Sequence, residues 1–154
     1  MADRWAGIAR LGGIGDDLIA ASVLRPLKRL GYKTDMIAGE GNHVLFHNNP
    51  YIDKLSVKAK GDIPEGEEWH KWFHSRSKEY DIFVHLSHSC EVRHALFPAM
   101  TQFWLPVEYR RKICAGSYLE TVHDIAGIAY DFGPLFFPTE EERERAVTTK
   151  AKLG

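Results

Sequence analysis

The chain has 154 residues, 44% of them hydrophobic and 27% charged, which suits one globular domain with a core of its own. A net charge of −1 gives no overall pull toward nucleic acid or an anionic membrane. Two cysteines make no disulfide framework, and no apolar run approaches the roughly 18 residues of a membrane span.

The opening "MADRWAGIARLGG" lacks the long apolar core of a secretion signal, so a reducing, cytoplasmic setting is expected. "WAGIAR", Trp5 to Arg10, reads as a short buried strand ending in glycines. The next run, "DDLIAASVLRPLKRLG", carries Leu18, Ile19, Ser22, Val23 and Leu27 at helical spacing, with Gly31 as the stop. Pro26 should kink or interrupt that helix. "KTDMIAG" is the second strand, and "EGNHVLFHNNP" gives one or two helical turns before Pro50. Lys54 to Val57 form the third strand.

A loop, "KGDIPEGE", leads into a helix with Trp69, Trp72, Phe73 and Tyr80 on its apolar side. That spacing favours core packing over a sugar-stacking platform. "YDIFVHL", Tyr80 to Leu86, is the clearest strand, and "SHSCEVRHALFPAM" opens another helix. Residues 99–116 admit a strand, a loop or both. "SYLETVHDIAGI" is helical and "YDFGPLFFP" is an extended exit. Thr139 and Glu142 stand in capping-box spacing before a polar helix that runs to the end.

Alternating strands and helices predict an α/β fold: a Rossmann-like parallel sheet with helices on both faces. In such sheets ligands bind at the carboxyl ends of the strands, which points first to the glycine turn at residues 11–17. The turn is not a dinucleotide fingerprint, because Leu18 stands where GxGxxG needs its third glycine. A Walker loop is excluded too, since no Lys followed by Ser or Thr closes it. Asp16 and Asp17 would also repel a pyrophosphate from the helix end. Two readings of Asp16 stay open on these residues: a helix N-cap, or a carboxylate facing a cleft as a general base. Asp17 reads as a first-turn acid suited to the helix dipole.

Other residues add less. His43 and His47, and His70 and His74, are spaced i, i+4, but no third metal ligand accompanies either pair. His85 reads as a packing residue, and Cys90 and Cys114 read the same way. His88 and Ser89 lie in the loop after the strongest strand, and Arg93 follows in the next helix. Lys58 and Lys60 follow the third strand, and Arg110, Arg111 and Lys112 make a basic run. Cations of this kind suit a phosphorylated or acidic acceptor, with Arg93 ranked first and Lys60 second.

The stretch Arg10 to Leu55 resembles the start of glycosyltransferase family 9, typified by ADP-heptose:lipopolysaccharide heptosyltransferases. Gly15-Asp16 matches that family's Gly-Asp turn, and Asn49-Pro50-Tyr51-Ile52-Asp53 matches its Asn-Pro-x-Ile-Asp segment. "YDIFVHLSHSCEVRHAL" resembles its later strand, loop and helix with a downstream arginine. Ala20-Ala21-Ser22 stands where the family often carries a Thr-Pro pair.

The resemblance implies the N-terminal, acceptor-side domain of a GT-B enzyme, covering residues 1–138. Residues 139–154 would then start the crossover to a C-terminal, donor-binding domain. It implies inverting, metal-independent transfer of heptose or a related sugar to a lipopolysaccharide-type or other glycan acceptor. Asp16 would be the catalytic base, with Gly13, Gly15, His88, Ser89, Arg93 and Lys60 binding substrate. No cofactor is implied, since the nucleotide sugar, ADP-heptose in the type enzymes, is a substrate. The expected partners are a glycan or glycolipid and the donor-binding domain, with no nucleic acid and at most peripheral contact with the inner membrane face. The alternative is a non-catalytic Rossmann-like module that binds a nucleotide or sugar.

Overall fold

A computed structural model describes residues 2–65, 67–87 and 104–153. Four strands form its sheet: β1 (Trp5–Ala9), β2 (Lys33–Gly39), β3 (Lys54–Lys58) and β4 (Ile82–His85). Their order is β3-β2-β1-β4, and each neighbouring pair is parallel. Ile8 stands opposite Met36 on one side and Val84 on the other. The chain reverses its direction of travel across the sheet at β1, so the carboxyl ends of β1 and β4 flank the topological switch point.

Successive strand residues point to opposite faces, and both faces are covered. On one, Ala6, Ile8, Met36, Ala38, Val84 and Leu86 pack with Ala20, Val23, Leu24, Leu27 and Val122. These come from α1 (Ile14–Ala20), a 3-10 turn (Ala21–Val23), α2 (Leu24–Arg29) and α5 (Tyr118–Ala126). On the other face Ala9 and Ile37 pack with Phe73 of α3 (Glu67–Ser77). Trp69 and Trp72 are partly buried around them, as their helical spacing predicted; Tyr80, expected on the same helix, lies past its end at Ser77, and Phe83 of β4 joins the cluster.

Pro26 explains the broken first helix. Its ring cannot follow an α-helical carbonyl four residues back, and it lacks an N–H to donate. The 3-10 turn restarts the helix at Leu24, which puts Pro26 in a first turn where no donor is required. Residues 99–116, left open between strand and loop, contain α4 (Val107–Ile113). Cys114 is exposed, which corrects the expectation that it packs.

Ser117 accepts from the Glu120 N–H and Glu120 returns the bond to the Ser117 N–H, so α5 opens on a complete capping box. It closes at Gly127, whose φ of 66° is left-handed. The exit segment then crosses α2, where Asp131 pairs with both Arg25 and Arg29. α6 (Glu140–Leu153) opens on the expected Thr139–Glu142 box and buries no residue.

The Asn-Pro-x-Ile-Asp segment is a clasp on the start of β2. Asp53 accepts from Lys28 Nζ at 2.7 Å and from the Thr34 N–H at 2.7 Å. Partial burial pushes the Asp53 carboxyl up, but the bonds from Lys28 and Thr34 outweigh it and hold it below its ordinary value. Asn49 accepts from the Tyr51 N–H at 3.0 Å and sets the turn.

Candidate functional site

β1 delivers Arg10 and the glycine turn to the switch point. Arg10 is 4% exposed, and its guanidinium spends its donors in two directions. One nitrogen donates to the Leu86 carbonyl just beyond β4. The other stands 2.9 Å from Asp16 Oδ1. Leu11 N–H donates to Ser87 Oγ at 2.9 Å, a second tie between the β1 and β4 loops. Together they tie the β1 and β4 loops at the switch point, where open α/β sheets form a ligand crevice.

Asp16 does not cap the helix as an N-cap residue. That position belongs to Gly13, and Asp16 is third in the helix. Its Oδ2 reaches back to accept from the Gly13 N–H at 3.2 Å. This is the acidic half of a capping box, since glycine has no side chain to complete it. The Asp16 side chain remains 33% exposed, fixed from below by Arg10 and from the side by Gly13.

Asp17 departs further from its expected role. Its side chain is wholly buried rather than displayed on the first turn. Asn42 Nδ2 donates to Asp17 Oδ2 at 2.9 Å, and Asp17 Oδ1 has no hydrogen-bond partner among the described residues. Burial pushes the carboxyl up from 3.8 to about 6. The Asn42 bond, the Gly12 N–H and the Arg10 charge oppose that rise, and the Asp16 charge adds to it.

The glycines are not equivalent. A Cβ on Gly12 would stand 3.0 Å from Asp16 Oδ2 and 3.2 Å from Arg10 Nε, tighter than most side chains pack. Gly13 would meet Asp16 at an ordinary 3.7 Å, and Gly15 would meet nothing within 4 Å. A side chain at Gly12 would therefore press on the Asp16 and Arg10 side chains. Gly15 leaves open space above the first helical turn.

The other expected site residues fall differently. Lys60 is exposed in a 3-10 turn after β3, at the sheet edge. Two strand spacings, about 10 Å, separate that edge from β1. His88, Ser89 and Arg93 lie outside the described residues. Ser87, their neighbour in sequence, does reach the crevice. His85 is stacked on Phe73 with ring centroids 3.6 Å apart, in the packing role expected of it. His43 and His47 come within 5.3 Å, and among the described residues no three His, Cys, Asp or Glu side chains gather as a metal site. No helix among these residues is long and apolar enough to cross a membrane.

Sequence reasoning missed Arg10, Asn42 and Ser87. Arg10 and Ser87 had one available signal: each lies just past the carboxyl end of a strand, where open α/β sheets bind ligands. Asn42 carried none.

Fold and site together define an α/β domain with a partly exposed, ion-paired carboxylate at its switch point. Among solved structures the chain is similar to the glycosyl transferase family 9 protein from Veillonella parvula DSM 2008, with a TM-score of 0.54 and 14% identity. The match covers 100% of this chain and 51% of that one, so the chain spans about half of its length. At this identity the likeness establishes the fold. No protein-family profile matches the chain, and no curated protein matches it in sequence.

Proposed function

We propose that this chain is the acceptor-side half of an inverting, metal-independent glycosyltransferase. Its donor is a nucleotide sugar, with heptose or a related sugar passed to a lipopolysaccharide-type or other glycan acceptor. The observation that carries the reading is the Asp16 carboxylate, partly exposed at the β1–β4 crevice and fixed by Arg10 and the Gly13 N–H. The shared fold of a family 9 glycosyl transferase supports it.

In this reading the Asp16 carboxylate takes the proton of an acceptor hydroxyl. The freed oxygen pair attacks the anomeric carbon from the face opposite the leaving group. The bond to the nucleoside diphosphate breaks, and its electrons leave with the diphosphate. Configuration inverts, and one proton passes from acceptor to Asp16. Gly13 and Gly15 leave room for substrate beside the turn, and His88, Ser89, Arg93 and Lys60 are the proposed polar contacts. The partner domain holds the donor, and no cofactor takes part. The work is placed on the cytoplasmic side, with peripheral membrane contact at most.

A second reading has one observation in its favour. Asp16 already serves Arg10 and Gly13, which is a sufficient structural job for a non-catalytic nucleotide- or sugar-binding module.

Turnover separates the two. The complete protein, assayed against a panel of nucleotide sugars with glycan acceptors, should transfer sugar with inversion. Asp16→Asn should lower turnover by roughly 10²–10⁴-fold, the range for loss of a general base. Retention of more than about a tenth of wild-type turnover by Asp16→Asn would sink the base assignment.

A further inference from the structure

Asp17 is a buried carboxylate that the proposed transfer step leaves without a task. It is not a helix cap, since its own N–H already bonds to Gly13 O at 3.1 Å and its side chain turns inward. An apolar residue would fill such a site without the cost of desolvating a charge. The charged groups that bear on it are Arg10 and Asp16.

Asn42 shows what the carboxylate is for. It sits on the turn after β2, where its N–H donates to Gly39 O at 3.1 Å. Its side-chain nitrogen donates to two acceptors, Asp17 Oδ2 and the Gly12 carbonyl, each at 2.9 Å. An amide nitrogen carries two hydrogens, so both bonds form at once. The Gly13 N–H, in the same peptide as the Gly12 carbonyl, donates to Asp16 Oδ2 at 3.2 Å. The contacts run in a chain from Asp17 through Asn42 and Gly12 to Asp16.

We propose that Asp17 and Asn42 are positioning residues: the buried carboxylate aims the Asn42 amide, which locks the Gly12 peptide and thereby holds Asp16 toward the crevice. Asp16 matters in this way because of the transferase reading, on which the proposal rests. The lock needs an acceptor at residue 17 and a two-hydrogen donor at residue 42. An Asp on the helix and an Asn on the neighbouring loop meet that demand with short side chains that have little freedom to lose.

The test is NMR on the isotope-labelled 154-residue chain, following the Gly12 and Gly13 amides, the Asp16 carboxyl carbon and the Arg10 guanidinium at neutral pH. Asn42→Ala should move all of these signals and shift the Asp17 titration midpoint upward, because a donor to the charged form is lost. Asn48→Ala, at an exposed site on the adjoining turn, should leave them in place. Asp17→Asn, which keeps an acceptor oxygen, should hold the Gly12 and Asp16 signals close to wild type. Asp17→Leu suits a buried site and should fold, yet it frees Asn42 and should move those signals as Asn42→Ala does. A residue that only stabilises the fold would lower the denaturation midpoint and leave the Asp16 and Arg10 signals unmoved. Wild-type signals in Asn42→Ala or in Asp17→Leu overturn the proposal. That failure is separate from failure of the transferase reading, which is decided by turnover of Asp16→Asn.

Discussion

Asp16 and Asp17 are neighbours in sequence and opposites in environment: the first is one-third exposed and 2.9 Å from Arg10, the second wholly buried against Asn42. The consequences differ for each residue, and stability and turnover measurements can tell them apart.

Asp17 should make stability depend on pH. Its carboxyl rises from 3.8 to about 6 on folding, so between those values the folded chain binds more protons than the unfolded one. Stability from this group is then full below about pH 4 and lost as pH rises through about 6. A rise of that size corresponds to about 3 kcal/mol at most. Urea denaturation of wild type and Asp17→Asn at several values between about pH 4 and 7 isolates the effect. The wild-type minus variant difference should fall steadily up to about pH 6 and level off above. A flat difference would remove the buried-carboxylate account.

Arg10 should matter more than an ordinary basic residue. Its guanidinium serves the Leu86 carbonyl and Asp16 together, and a lysine ammonium cannot reproduce that planar fork. Arg10→Lys should therefore destabilise the chain by about 1.5–3 kcal/mol, the range for hydrogen bonds to charged groups. On the proposed transferase reading it should also lower turnover of the complete protein, because Asp16 loses its anchor. Unchanged stability and turnover in Arg10→Lys would show that the bridge between the β1 and β4 loops is incidental.

Gly15 offers a cleaner separation of fold from function. A Cβ there meets nothing within 4 Å, and the residue lies inside α1. Gly15→Ala should stabilise the chain by about 0.5–1 kcal/mol through helix propensity. If substrate passes close to the turn, the same methyl group should raise KM in the complete protein. A stabilised variant with unchanged KM would take Gly15 out of the proposed substrate contacts.

Gly7 should be intolerant for a reason unrelated to the crevice. A Cβ on Gly7 would stand 2.8 Å from the Tyr80 ring and 2.9 Å from Phe83. Tyr80 crosses β1 there to donate to Asp35 Oδ2 at 2.8 Å, and burial followed by the Asp35 bond keeps its phenol protonated. Gly7→Ala should cost about 1–3 kcal/mol as an overpacking change. Tyr80→Phe should cost a similar amount by stripping a donor from buried Asp35. The double variant should cost less than the sum, since both act on one contact. Strict additivity in chemical denaturation would break that link.

The order of elements was legible in the chain because local signals set it. Apolar runs of strand length, Gly31 as a stop and the Thr139 cap each act within a few residues. The strand Lys33–Gly39 matches "KTDMIAG" residue for residue, and the apolar stripe of α3 does pack in the core. α4 was not legible, because a short run of mixed aromatic and basic residues carries no clear period.

The sequence by itself determined the α/β alternation and placed a Gly-Asp turn at the end of the first strand. Apart from the family resemblance, which pointed to Asp16, its residues left open which aspartate is buried. Successive helical residues point about 100° apart, so adjacency in sequence says nothing of which one meets the core. Tertiary structure decided that by parallel pairing of β1 with β4, which brings Arg10 to Leu86 across 76 residues and turns its guanidinium to Asp16. The same folding carries Asn42 over α1, where it claims Asp17 and leaves Asp16 in the open.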